Sequence, residues 1–275
     1  MSVPLKSILF VGFLAGMLIS APLLAEDSLT PTTLQETEPS MNEVNKSLTN
    51  PVSDVWSISF QQNNYILDIP GRPTNHWNSN LLFQPVLPVS LTGDWNLVTR
   101  PVFQVFNSVP FARTEAQSPP LPPRAELKRT TDFGDTIFLV ALSPSPKIAG
   151  NWLLGLGPTF ILPTATSLNI GQGKWQVGPG AAVGYMSEKW ILAAFLQNWT
   201  SFAGQHNRNS VNQMNLQPIG EYFLPDGWSI GYSGNILADW TAVGSGNTWT
   251  VPIGASVSKM VNIGRLPVKL SLAGQ

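Results

Sequence analysis

The chain has 275 residues, 43% of them hydrophobic but only 11% charged, against about 25% charged in an ordinary soluble domain. A net charge of −1 without clustered Lys or Arg excludes a nucleic-acid backbone as partner. The absence of cysteine excludes disulfides, thiolate metal sites and a lipidated cysteine.

Met1 to Ala25 reads as a secretory signal peptide. Lys6 supplies the positive region, Ile8 to Ala21 the apolar stretch, and Leu23-Leu24-Ala25 the cleavage site before Glu26-Asp27. An N-terminal membrane anchor is the alternative, against which stand Pro22 and the abrupt polar switch after Ala25. No second apolar run approaches the ~20 residues of a spanning helix, so insertion of the mature chain into a membrane must use strands. Residues 26–53, rich in Thr, Ser, Glu, Asn and Pro, carry no periodicity. They are expected as a flexible periplasmic arm, with a loosely packed plug as the alternative.

From about Val55 the pattern alternates with period two, which sorts side chains onto opposite faces of a strand. Candidate strands at 55–67, 80–91, 95–106 and 133–143 precede clearer ones. In Trp152 to Leu162, the residues Trp152, Leu154, Leu156, Pro158 and Phe160 alternate with Gly155, Gly157 and Thr159. In Trp175 to Tyr185, Val177, Ala181 and Val183 alternate with Gln176, Gly178, Gly180 and Gly184. A strand at 189–200 follows, then one in which Met214, Leu216, Pro218 and Tyr222 oppose Gln213, Asn215, Gln217 and Glu221. Trp228 to Trp240 is the cleanest, with Ile230, Tyr232, Ile236 and Ala238 on the tryptophan face. Its tryptophans lie twelve residues apart, about 40 Å of extended chain, or about 28 Å at a 45° tilt. Candidate strands at 249–258 and 266–275 bring the total to eleven.

Short turns at Thr92-Gly93-Asp94, Ser187-Glu188 and Pro225-Asp226-Gly227 alternate with longer polar segments at 107–132, 163–174, 201–210 and 241–247. That asymmetry and strand length predict an all-β fold: an antiparallel transmembrane β-barrel over residues 54–275, in the bacterial outer membrane. A lipocalin-like or two-sheet soluble fold is the alternative. Pro85, Pro101, Pro158, Pro179, Pro218 and Pro252 fall inside strands, where proline cannot donate to the ladder, so bulges or strand ends are expected near several of them.

Several blocks resemble a known bacterial family. They are Ser59-Phe60-Gln61-Gln62-Asn63-Asn64, Gln84-Pro85-Val86-Leu87-Pro88, Asp94-Trp95-Asn96-Leu97-Val98-Thr99-Arg100, Phe133-Gly134-Asp135, Gly157-Pro158 with Leu162-Pro163-Thr164-Ala165-Thr166, Gly173-Lys174-Trp175, and Asn247-Thr248-Trp249-Thr250-Val251-Pro252. In this order they are similar to the MetA-pathway-of-phenol-degradation family, whose members are often labelled transporters or, misleadingly, neuromedin U. The resemblance implies an outer-membrane barrel that passes small, including aromatic, compounds, and it brings no catalytic residues. It also implies one strand more than the eleven counted, so a twelve-stranded barrel lacking its last strand, and a fragmentary sequence, are expected.

If the apolar phase faces lipid, Asn96, Arg100, Gln104, Gln213, Asn215, Gln217, Glu221, Asn235 and Asp239 line the interior. Such a lumen offers hydrogen bonds with little field and suits small neutral or weakly polar solutes; the alternative is that these groups cross-brace a filled interior. Trp152, Trp175, Trp228, Trp240 and Trp249 are expected as membrane-interface anchors. Ser201, His206 and Asn207 are the nearest approach to a hydrolytic triad, and His76 and His206, the only histidines, read as loop residues. No metal or cofactor site is expected, nor an enzyme. The expected partners are the lipid bilayer, the outer-membrane assembly machinery and small hydrophobic or aromatic solutes. The leading reading is a passive channel or uptake porin; a non-conducting structural or adhesive barrel is the alternative.

Overall fold

The computed structural model describes residues 10–18, 40–67, 76–112, 127–167, 169–242 and 248–275. The alternating sequence forms antiparallel strands at each expected place. These are β2 (Ser57–Leu67), β3 (His76–Ser90), β4 (Trp95–Ala112), β5 (Leu127–Phe133), β6 (Thr136–Pro144), β7 (Trp152–Leu162), β8 (Lys174–Met186), β9 (Trp190–Gly204), β10 (Asn212–Phe223), β11 (Trp228–Ser233), β12 (Ile236–Asp239), β13 (Trp249–Thr250), β14 (Ala255–Ile263) and β15 (Leu266–Gly274). Three pairs are single crossings interrupted in the middle: β5 with β6, β11 with β12, and β13 with β14. Counted that way, they are the eleven segments expected.

A twelfth crossing differs from expectation. Residues 10–18, assigned from sequence to a removed leader, form β1 (Phe10–Leu18), paired with β2 on one side and β15 on the other. β11 pairs with both β10 and β14, so the pairings return on themselves through β1. Without β1, the remaining crossings form a sheet open between β2 and β15. Those two edges carry unpaired backbone donors and acceptors, and an apolar stretch of nine residues satisfies both. The cleavage site at Leu23-Leu24-Ala25 and the proline-rich stretch from Ser118 to Pro123 lie outside the described residues.

The segment Trp228 to Trp240 is not continuous, yet β11 and β12 keep one register against β10, with Ile219 opposite Ser233 and Leu216 opposite Ile236. The break at Gly234 has a local cause. A Cβ there would lie 2.1 Å from the Tyr232 hydroxyl, which itself donates to the Pro252 carbonyl at 2.6 Å. A side-chain bond therefore joins the wall where the ladder is interrupted. The prolines act by removing rungs: paired residues are missing around Pro85 and Pro101, and around Pro158 and Pro179, without a register shift. Bulges occur elsewhere, at Ser79/Asn80, Phe106/Val109 and Trp175/Gln176.

The outward face is apolar and bare. Leu156, Leu192, Val183 and Ile230 are all at least half exposed, a continuous surface that a water-soluble barrel would not present. Nine of the ten tryptophans are exposed on it. Trp56, Trp95, Trp152, Trp190 and Trp228 stand at the short-turn end, and Trp77, Trp175, Trp240 and Trp249 at the loop end. Rings that are apolar in body and polar at one edge favour the membrane interface. The fold is a transmembrane antiparallel β-barrel.

The hydrophobic core lies on the inward face, where Leu139, Ala141, Leu153, Ala182, Ile191, Phe195 and Phe223 gather around Val52. Residues 26–39 of the expected arm or plug lie outside the described residues. After them, α1 (Met41–Thr49) is a helix begun by a reciprocal capping box, with Ser40 bonded to the Glu43 amide and Glu43 to the Ser40 amide. Aperiodic composition hid it, because a two-turn helix has too few apolar positions to show a period.

Candidate functional site

The inward face carries three tiers of contacts. At the short-turn end, α1 packs against the Pro225–Gly227 turn and β15. Lys269 of β15 and Glu221 of β10 form an ion pair at 2.6 Å, with both side chains about nine-tenths buried. The Thr49 hydroxyl accepts from Lys269 Nζ at 2.7 Å and lies 2.8 Å from the Asn45 carbonyl and 3.2 Å from Glu221 Oε2. Asn45, fully buried, donates to Ser229 Oγ at 3.2 Å, and Ser229 in turn donates to Glu221. One turn later Val52 enters the apolar core. Gly155 makes room for it, since a Cβ at Gly155 would lie 2.7 Å from Val52 Cγ1.

The helix is therefore held by a few polar side chains and one apolar contact. Its start also carries a titratable restraint. The backbone amide of Ser40, and then its hydroxyl, hold the Glu43 carboxyl below its ordinary pKa.

In the middle tier Arg100 of β4 projects inward, opposite Leu139 on β6. Its Nη2 donates to Gln84 Oε1 at 2.8 Å, and Gln84 donates to Gln61 Oε1 at 3.2 Å. The guanidinium carbon lies 5.6 Å from the centre of the Phe195 ring on β9. β6, β7 and β8 separate β4 from β9 in the sheet, so this contact joins strands that are not neighbours across the interior.

The loop-end tier is built from amides. Asp135 accepts from the backbone of Ala165 at 3.1 Å and of Gln172 at 2.8 Å, which ties both residues to the loop end of β6. Gln172, Gln176 and Gln213 bond to one another at 2.6 to 3.2 Å. Below them Gln197 and the indole of Trp199 both donate to Thr159.

Among the residues expected to line the lumen, Asn96 is buried and accepts from Ser90 at 3.0 Å. Gln104 donates to the Asp135 carbonyl at 3.0 Å, and Gln217 to Ser233 at 2.9 Å. Asn215 is half-buried with an unpartnered Oδ1. Asn235 falls in the break between β11 and β12. Asp239 is different: it is exposed and accepts from the Thr241 amide and hydroxyl at 2.9 and 2.6 Å. It ends β12 opposite Gln213 in the register and closes the turn that follows. Arg100, Gln213 and Glu221 belong to the three tiers.

Sequence reasoning missed Asn45, Thr49, Ser229 and Lys269, the partners of Glu221. Lys269 was readable, as the lone charge in Leu266–Gly274, on the same alternate positions as Ser271. Ser201 Oγ accepts from the Val211 amide at 2.9 Å, and among the described residues no hydrogen bond joins it to His206. No group of three or more His, Cys, Asp or Glu able to hold a metal ion occurs among the described residues.

The site defines a class: a transmembrane β-barrel with its own helix α1 seated against the inward face. No family model matches the chain, and no curated protein matches it. Among solved structures it is similar to an outer membrane channel from Pseudomonas putida F1, with a TM-score of 0.43 and 12% identity over 99% of this chain and 96% of that one. No residue role is carried over from that protein.

Proposed function

We propose that this chain is an outer-membrane channel for small molecules, closed at rest by α1 and opened when that helix leaves the lumen. The observation that carries the reading is the bond set of Asn45 and Thr49 to Ser229, Glu221 and Lys269. α1 lies in the chain between β1 and β2 and is held on the inward face by side-chain contacts that water can replace, not by pairing in the ladder. The blocks similar to the phenol-degradation family support an outer-membrane location and small-molecule cargo. The Gln- and Asn-rich lining supports solutes of low charge. No catalytic step is needed.

Planar-bilayer recording tests this. The full chain is expected to show a closed state with brief openings, and a variant lacking residues 40–53 a long-lived open state. Absence of conductance from both would end the channel reading. The second reading, a non-conducting barrel acting through its external loops, is favoured by one observation: the Arg100–Phe195 contact braces the lumen independently of α1.

A further inference from the structure

Arg100 is a partly buried cation with no carboxylate beside it. The ion pairs among the described residues are Lys147–Asp94 and Lys269–Glu221, and neither includes it. Its Nε is buried without a hydrogen-bond partner. The groups around it are neutral: the Gln84 carboxamide oxygen at 2.8 Å, the Phe195 ring, and Leu139 opposite it in the register. Lys269, in the same interior, has an acidic partner at 2.6 Å. A charge withdrawn from water normally has its counter-charge beside it, and an ionisable group at membrane depth without one marks a binding function.

Gln84 shows what that counter-charge is. Its carboxamide oxygen sits on one nitrogen of the guanidinium, as one oxygen of a carboxylate would. The guanidinium fork is shaped for two, and the unused Nε is the second position. Leu139 and Phe195 supply apolar surface beside the fork.

We infer that Arg100 is the recognition group for a small monocarboxylate, which displaces Gln84 and lays its apolar body against Leu139 and Phe195. This rests on the channel reading and gives it a cargo class.

Equilibrium dialysis of radiolabelled hexanoate against the full chain in detergent, corrected for empty micelles, tests the site apart from conductance. Saturable binding is expected, undisturbed by a tenfold excess of hexanamide, which has the same shape without the charge. Arg100→Gln should weaken binding at least tenfold, and Arg100→Lys less, because it keeps the charge and loses the fork. Gln84→Ala should tighten it, an outcome a structural brace would not produce and one that remains readable if Arg100→Gln fails to fold. Absent or non-saturable binding, equal displacement by hexanamide, or no gain in Gln84→Ala would overturn the inference. Binding without conductance removes the channel and keeps the site; conductance without binding does the reverse.

Discussion

Lys269 Nζ and Glu221 Oε1 stand 2.6 Å apart across two different crossings of the barrel, and the Thr49 hydroxyl of the N-terminal helix accepts from the same ammonium. The pair is thus at once a brace of the wall and the seat of the stopper. Removing one partner leaves the other charge buried. Lys269→Met is expected to destabilise the barrel by about 3–5 kcal/mol, and the double variant with Glu221→Gln by much less. Urea unfolding in lipid vesicles measures both; equal losses would show that the pair is not coupled.

The natural absence of cysteine allows the stopper to be locked. With Asn45→Cys and Ser229→Cys, whose native side chains meet at 3.2 Å, a short dithiol-reactive cross-linker should abolish openings. A reducible linker should restore them on reduction. Openings that persist under complete cross-linking would place the gate elsewhere.

The cap of α1 responds to acid. The folded pKa of Glu43 is depressed, so its stabilisation is present above the unfolded value. It is lost as pH falls through the folded one, below the ordinary carboxylate range. A fluorophore at Met41→Cys should report helix release on acidification over that range. Glu43→Gln should remove the pH dependence.

Two glycines leave no room for a side chain. A Cβ at Gly157 would lie 2.0 Å from the Val140 carbonyl oxygen, and one at Gly178 1.9 Å from that of Asn198. Both obstacles are backbone and cannot rotate away. Gly157→Val or Gly178→Val should cost about 3 kcal/mol or more, seen as loss of the heat-modifiable band on gels. Gly93→Ala, with nothing within 4 Å, should be silent.

Export is checked by intact mass. Cleavage after Ala25 is expected, giving a mature chain that begins at Glu26 and lacks the segment that forms β1. A full-length mass near 29.8 kDa for protein recovered from the outer membrane would instead retain Phe10–Leu18 as a strand.

The wall was readable from the sequence because lipid on one side and amides on the other enforce strict alternation. Leu154, Leu156 and Val183 therefore reveal their face without any knowledge of neighbours. A loosely packed plug stood only as an alternative, and its contacts were not readable. Asn45 meets Ser229 across 184 positions and Lys269 meets Thr49 across 220, and no local pattern encodes such a meeting. The break at Gly234 also escaped notice, since it depends on where the Tyr232 ring lies.

Trp199 differs from the other nine indoles in being buried inside, its Nε1 donating to Thr159 at 3.1 Å. Lipids brominated on their acyl chains would darken the outer rings and leave this one shining. The residual emission would then be an intrinsic optical gauge of the interior, shifting to the red as water enters and needing no label at all.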